Sequence, residues 1–306
     1  MNRPSLRGRP RAALALLLPA ALLALVPSPA PAAPAEPAPS PVPTTRVEVA
    51  DLPRGAAPRV DVLVGRRLVH DGRTTTVRVP ARTTPRVALG TWRGVPLVVA
   101  TRPDGDQLYA VARDGRVTAR GPVFQTYNYP PVLVRTSGHV LTALADRSGP
   151  TTYTVLDAST GRVVVETTDP DDLDPADRAV LQRWQSPPRW VTARSASGRH
   201  DVVARDPDGA RPAQLTVRRT EGTIALRRFA FAPYASTRTS EWPDSVDAAQ
   251  VRMERGSTLL AVGLDRSGER MTVVRCRVGG RCERAMPWAT LVSVAGAGAL
   301  GWTGAS

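Results

Sequence analysis

Short apolar runs broken by turn residues dominate the chain, and the stretch from His139 to Thr168 shows the pattern most clearly. Val140 to Ala145 is apolar with one hydroxyl, and Asp146-Arg147-Ser148-Gly149 breaks it. Thr152 to Leu156 resumes with β-branched and aromatic residues until Asp157-Ala158-Ser159-Thr160-Gly161, and Val163-Val164-Val165 closes the unit. Such runs, bounded by Asp, Ser and Gly, read as strands joined in hairpins. Asp and Ser side chains cap the turn backbone, and Gly takes the positive φ. The stretch therefore predicts strand, turn, strand, turn, strand.

The unit recurs. Asp71-Gly72-Arg73, Asp114-Gly115-Arg116 and Asp157 (with Gly161-Arg162) follow one another at 43 and 43 residues, and Asp206-Pro207-Asp208-Gly209 comes 49 further on. Each follows a strand-like run: Arg67 to Val69, Leu108 to Ala112, Thr152 to Leu156 and Asp201 to Ala204. An earlier turn recurs as Pro103-Asp104-Gly105, Arg147-Ser148-Gly149 and Ser197-Gly198-Arg199. The last unit spans Ser257 to Trp288, with turns at Arg266-Ser267-Gly268 and Gly279-Gly280. A period of about 40 to 50 residues with about four short strands per unit is the pattern of β-propeller blades, which bury their apolar faces only against one another. An open β-sandwich also spaces its strands closely, but has no reason to repeat its turns at this distance.

Between Gly209 and Ser257, Thr223 to Phe231 reads as strand and Pro233 to Ala248 as loop, an eroded sixth blade or an insertion. The expected fold is all-β, a propeller of about five to six four-stranded blades with one short helical insertion. That helix follows Asp174 as N-cap and Pro175 at its first position. Asp177 sits in its first turn, and Val180, Leu181 and Trp184 form its apolar stripe.

Two segments carry a family resemblance. Val155-Leu156-Asp157-Ala158-Ser159-Thr160-Gly161-Arg162-Val163-Val164 resembles the blade motif of quinoprotein-like and YVTN-type propellers, in which Asp and Thr-Gly form the outer turn. Thr101 to Tyr109, TRPDGDQLY, is similar to the inner turn of TolB-like propellers. The resemblance implies the fold. Val165-Glu166 stands where the quinoprotein motif usually carries Trp, so no quinone, and no other cofactor, is expected.

Composition adds a compartment. Residues 1 to 11 hold four Arg and no acid, and Ala12 to Val26 is an apolar run of 15 residues. A basic start, a short apolar run and then small residues make a secretory signal; a membrane span needs roughly 20 apolar residues. Ala30-Pro31-Ala32 and Ala33-Pro34-Ala35 are candidate cleavage sites. Eight prolines fall between Pro27 and Pro43, a tract that extends as polyproline II and acts as a spacer. The expected division is residues 1–32 as signal peptide, 33–45 as Pro/Ala-rich linker and 46–306 as propeller, leaving a secreted chain with no membrane span and possible attachment to the cell wall.

The basic residues are all Arg, in keeping with a GC-rich coding bias, and removing Arg3, Arg7, Arg9 and Arg11 lowers the formal charge from +14 to +10. Such a charge favours encounters with anionic polymers and head groups. The expected partner is an anionic envelope polymer, a glycan or a protein, bound by a monomer. Nucleic acid rests on charge alone and fits export badly.

Candidate chemistry is sparse. Cys276 and Cys282 flank Val278-Gly279-Gly280, and in an exported chain they read as a disulfide across a hairpin; a cysteine-closed final turn also resembles hairpins of secreted actinobacterial propellers. Asp169, Asp171, Asp172, Asp174 and Asp177 form the densest acid cluster. Asp169, Asp171 and Asp172 are candidate calcium ligands, although the spacing is not that of an EF-hand loop. His70, His139 and His200 each sit beside a turn, in three different blades, which argues against one shared zinc site. Trp92 and Arg93, with Tyr127, Asn128 and Tyr129, are the candidate ligand-binding residues, able to stack a sugar; the alternative is packing between blades. No GxSxG or HExxH motif is present. The leading reading is a non-catalytic envelope-binding propeller. The alternative is an extracellular hydrolase or lyase that uses carboxylates converging on one propeller face.

Overall fold

A computed structural model describes residues 41–126, 128–144, 149–185, 193–195, 197–205, 214–221, 224–231, 246–265, 267 and 269–296. Their strands form five sheets, the blades of a β-propeller. Blade 2 contains β5 (Thr84–Trp92), β6 (Val95–Arg102), β7 (Gly105–Val111) and β8 (Val117–Phe124), in that order. Blade 3 has the ladder β10 (His139–Leu144), β11 (Thr152–Asp157) and β12 (Val163–Thr167), with β9 (Asn128–Val134) beside β10. Blade 4 contains β13 (Ala193–Arg194), β14 (His200–Arg205), β15 (Gln214–Arg219) and β16 (Ala225–Phe231). Blade 5 contains β17 (Val246–Arg255), β18 (Thr258–Leu264), β19 (Met271–Arg277) and β20 (Cys282–Arg284).

Blade 1 draws on both parts of the chain. β2 (Val62–Val64), β3 (Arg67–His70) and β4 (Arg73–Thr76) are joined by β21 (Val292–Val294), which pairs antiparallel with β2 through Val62 and Val294. The span in which a sixth blade was considered thus supplies the last strands of blade 4 and β17 of blade 5.

The apolar runs are nearly continuous because most blades are covered on both faces. Successive strand residues point to opposite sides, and each side meets a different neighbour. In β18, Leu259 and Ala261 pack with Val217 and Phe229 of blade 4, while Leu260 and Val262 pack with Val62 and Val294 of blade 1. In β6, Val98 and Ala100 join Leu63 and Leu68 of blade 1, while Leu97 and Val99 join Val140 and Leu156 of blade 3. Truncating such a side chain to Ala costs about 2 to 5 kcal/mol.

Blade 3 is covered on its other side by Leu173 and by Leu181 of α1 (Pro175–Gln185), so the predicted helix caps a blade. Asp174 Oδ1 accepts from the amide of Ala176 at 2.8 Å, as an N-cap does. Asp177 sits in the first turn as expected and takes a second role. It is 1% exposed, because its carboxylate accepts from Ser137 Oγ at 2.7 Å and lies 2.6 Å from His139 Nδ1, tying the helix to blade 3.

The repeated turns dock one blade on the previous one. Gly115 (φ 85) lies so close to the Thr76 carbonyl that a Cβ would overlap it, and Gly161 (φ 76) stands equally close to the backbone of Arg120 and Gly121. Only glycine fits these places. The series slips at blade 4. Asp206-Pro207-Asp208-Gly209 falls between β14 and β15, one hairpin earlier than Asp114-Gly115 and Asp157 to Gly161 in their blades, and Ser197-Gly198-Arg199 falls between β13 and β14. Turn residues mark a hairpin without numbering it. Asp206 to Gly209 themselves lie outside the described residues.

The segment before blade 1 straps the two blades that precede it in space. β1 (Thr44–Val47) pairs parallel with β16, adding an outer strand to blade 4. Pro53 to Gly55 then runs along β20 of blade 5: the Gly55 amide donates to Arg284 O and the Arg284 amide to Pro53 O, both at 2.8 Å. Edge strands offer unpaired backbone groups to other chains, and the strap occupies two of these edges.

Candidate functional site

Because each hairpin reverses the chain, the first-to-second and third-to-fourth turns of a blade emerge at one end. At that end the inner strands of blades 1, 2, 3 and 5 bring several polar groups together. Asp61, just before β2, accepts from Thr91 Oγ1 of β5 at 2.6 Å and lies 2.7 Å from Nδ1 of His70 at the end of β3. Nε2 of His70 is 3.4 Å from Asp71 Oδ2. Arg135 follows β9, and its Nη2 lies 3.2 Å from where a Cβ on Gly90 (φ 103) would stand; Asp61 Oδ2 lies 4.0 Å from the same point. Arg252 of β17 donates through Nη1 to the carbonyl of Ala295, just after β21. We refer to this group as the mouth.

Burial holds the Arg252 guanidinium below its ordinary pKa, and the neighbouring charge of Arg135 adds to that, with Asp61 and Glu254 opposing. The carboxylates here are otherwise engaged. Glu254 binds Arg275 of β19 at 2.8 and 3.0 Å and accepts from the amide of Arg59 at 2.6 Å. Arg275 also binds Glu283 and the carbonyls of Ala56 and Ala57. Burial opposes its charge, but the two glutamates outweigh burial and raise its pKa.

Asp–His–hydroxyl sets occur twice, as Asp61–His70–Thr91 and Asp177–His139–Ser137. In each the carboxylate accepts the hydroxyl and faces Nδ1, an arrangement that orients an imidazole. In neither does the hydroxyl lie beside Nε2, where a nucleophile would stand. His200 opens β14, and its buried Nδ1 has no hydrogen-bond partner among the described residues. All three histidines thus emerge at the same end of their blades, each in its own setting, as neighbours of turns.

The predicted ligand residues divide between the two ends. Trp92 closes β5 beside the mouth, with its Nε1 donating to Ser159 Oγ at 2.9 Å, its ring against Gly138, and the Arg93 guanidinium 5.6 Å from its ring centroid. Asn128 and Tyr129 begin β9, at the opposite end from Arg135. Tyr127 lies outside the described residues. The structure brings Trp92 and Arg93 together, and it starts the backbone of β9, with Asn128 and Tyr129, at the other end of blade 3.

Asp169 caps the 3-10 turn Pro170–Asp172 by accepting from the Asp171 amide at 2.9 Å. Asp171 pairs with Arg178 at 3.1 Å, and Asp172 accepts from Thr167 at 2.7 Å. Each candidate calcium ligand is taken up locally, and no group of three metal-ligating side chains occurs among the described residues. Cys276 and Cys282 are direct cross-strand partners joined by a disulfide of 2.03 Å.

Arg135 and Arg252 escape sequence reading. Arg252 and Glu254 alternate with buried Val251 and Met253, so β17 lacks the apolar run that marks the other strands. Its polar positions face the mouth. The legible signal was the alternation itself, Val251-Arg252-Met253-Glu254, which lies between the loop read to Ala248 and the unit read from Ser257; β17 begins at Val246, inside that loop.

No protein-family model and no curated protein sequence matches the chain. Solved structures do. TolB from Acinetobacter baumannii aligns at 11% identity and TM-score 0.32, over 76% of this chain and 57% of that one. The β-propeller domain of the trilobed protease from Pyrococcus furiosus aligns at 7% identity and TM-score 0.22, over 73% and 57%. The tricorn protease aligns at 13% identity and TM-score 0.28, over 76% and 30%. The chain therefore spans little more than half of TolB and less than a third of tricorn, and no residue role passes from them. The fold stands on the strand order of the five blades, and in it the chain resembles TolB-like and other β-propeller proteins.

Proposed function

We propose that this chain is an exported, non-catalytic binding propeller that holds an anionic partner of the cell envelope at the end of the blades where Arg135 and Arg252 converge. The observation that carries the reading is a pair of guanidiniums at the mouth with donors left unused among the described residues. Two arginines from different blades reach it without an ion pair among the described residues, while Asp61 and Glu254 already accept hydrogen bonds from Thr91 and Arg275. An enzyme of the carboxylate-pair type needs two acids facing a substrate, and the acids here face protein donors. The basic start and short apolar run of residues 1–32 and the Pro-rich spacer support export. No helix among the described residues is long and apolar enough to cross a membrane.

The test is retention on an anionic wall polymer at low and moderate ionic strength. Exposed charges are screened beyond roughly 8 Å at physiological salt, so retention should fall steeply with salt. Indifference to such polymers at low salt sinks the reading, as does hydrolysis of a glycan panel that is lost in Asp61→Asn.

A further inference from the structure

Among the described residues Arg135, Arg227 and Arg252 each reach over a positive-φ glycine; Arg227, over Gly280, donates there to Val278 O and Thr45 Oγ1, and the mouth arginines differ from it in how few partners they meet. Arg135 extends over Gly90 and Arg252 over Gly296. Cβ atoms at those glycines would stand 3.2 Å from Arg135 Nη2 and 3.1 Å from Arg252 Nη1, closer than side chains settle without displacement. Gly90 has φ 103 and Gly296 φ 69, so both backbones are shaped for glycine as well as cleared by it. Each guanidinium therefore occupies a place left open by an absent side chain.

Arg252 is half-buried and, among the described residues, makes one side-chain hydrogen bond, to the Ala295 carbonyl, which leaves most of its donors unused there. Arg135 is exposed, and no hydrogen bond or ion pair is made to it among the described residues. The two seats adjoin: the point over Gly90 that lies 3.2 Å from Arg135 Nη2 is 3.6 Å from Ala295 Cβ, and the Ala295 carbonyl accepts from Arg252. Two like charges held together, one of them half-buried and neither in a direct ion pair among the described residues, repel one another in the empty protein, and a bound anion relieves this.

We infer that Arg135 and Arg252 form a binding site for a phosphate monoester group, held between two guanidinium forks at the mouth. This rests on the reading of the mouth as a binding site and names its ligand chemistry. The forks select the class. Each guanidinium presents parallel N–H donors that match two oxygens of one oxyanion, so two of them suit a tetrahedral group with three free oxygens better than a carboxylate with two. A phosphate monoester carries about −1.5 to −2 charge at pH 7, which matches two cations. The same group is presented by free phosphate, by a sugar phosphate or by the phosphorylated end of a polymer.

The probe is inorganic phosphate, titrated calorimetrically into the full mature chain at constant ionic strength. Arg135→Gln and Arg252→Gln should each weaken binding at least tenfold. Arg135→Lys, which keeps the charge and loses the fork, should weaken it severalfold. Arg162→Gln, an exposed arginine in the turn after β11, should change it less than twofold. Arg135 is exposed and bonds to no described residue, so its variants should fold as the parent does, and circular dichroism checks this. No phosphate binding by the folded parent, or equal loss in Arg162→Gln and Arg135→Gln, overturns the inference. Competition separates the sources: if phosphate elutes the parent from a wall polymer, the polymer presents the group. If the polymer retains Arg135→Lys and the parent equally, the phosphate site is wrong and the envelope reading stands. If phosphate binds with the expected losses but no polymer is retained, the envelope reading fails and the site stands.

Discussion

Arg275 and Arg252 belong to the same blade and lie at the same end of it, yet the chain treats them in opposite ways. Arg275 is 5% exposed and surrounded by acceptors: two glutamates and two carbonyls of the strap before blade 1. Among the described residues Arg252 bonds to one carbonyl, with a second arginine nearby and Asp61 and Glu254 acting only at a distance. A buried charge is tolerated when its hydrogen bonds and counter-charges are complete, and is costly when they are not. The completed arginine is a structural rivet joining the strap to blade 5. The incomplete one is held in place and left with donors to spare, the condition of a group that serves a ligand.

Breaking the rivet should have the largest effect. Arg275→Ala leaves Glu254 buried and unpaired, and about 4 kcal/mol of stability should be lost in urea unfolding. The double variant Arg275→Met with Glu254→Gln should recover most of that, since a buried pair removed together costs far less than one partner removed alone. If the single variant loses less than about 1 kcal/mol, the contrast drawn here collapses.

Opening the disulfide beside Arg275 comes next. Cys276→Ser with Cys282→Ser releases a short loop, and the chain-entropy model gives about 2 kcal/mol. Asp157 and Asp265 test whether acid attacks the turns or the arginines. Burial opposes the ionisation of both. The Thr160 hydroxyl and amide with the Ser159 amide in one turn, and Ser267 with Arg270 in the other, outweigh it and hold both carboxyls below their ordinary pKa. Their contribution is present above the unfolded-state value of about 3.9 and is lost as pH falls through the lower folded values. Acid unfolding of Asp157→Asn should therefore depend less on pH below about 4 than that of the parent, while Arg252→Gln should follow the parent. An unchanged profile for Asp157→Asn refutes the assignment.

The smallest effect sharpens the comparison most. Arg252→Gln, measured without phosphate, should change stability by less than about 0.5 kcal/mol or raise it, because it removes a half-buried charge beside a like one. A loss of several kcal/mol would make Arg252 a second rivet.

The architecture was legible because its cause is local. Turns such as Asp114-Gly115-Arg116 recur where blades dock, and the runs LVVA and LLAV are apolar throughout because each of their residues faces one neighbouring blade or the other. The helix after Asp174 and the cysteine-closed turn were legible for the same reason. The mouth was not. Asp61, Gly90, Arg135, Arg252 and Gly296 are brought together only by the arrangement of blades, and no spacing along the chain relates them. The partners of His70 and His139 were hidden likewise. Asp61 stands just before another strand and Asp177 lies in the helix, and Asp177 also satisfied the pattern of a helix start.

The pairing of Val62 with Val294, and of Thr44 with Arg228, also dictates an order of events. Blades 2 and 3 draw their described strands from short continuous stretches and can form early. Blade 1 must wait with three strands in place until β21 arrives, and β1 must wait for β16. Closing such long loops before any contact rewards the closure slows folding. A nascent chain therefore carries an incomplete sheet for most of its synthesis, exposed to pairing with neighbours. Once the two distant pairings are made, they act as a latch. Blades 4 and 1 each lose a strand when these pairings break, so removing β1 or β21 should shorten the lifetime of the folded protein.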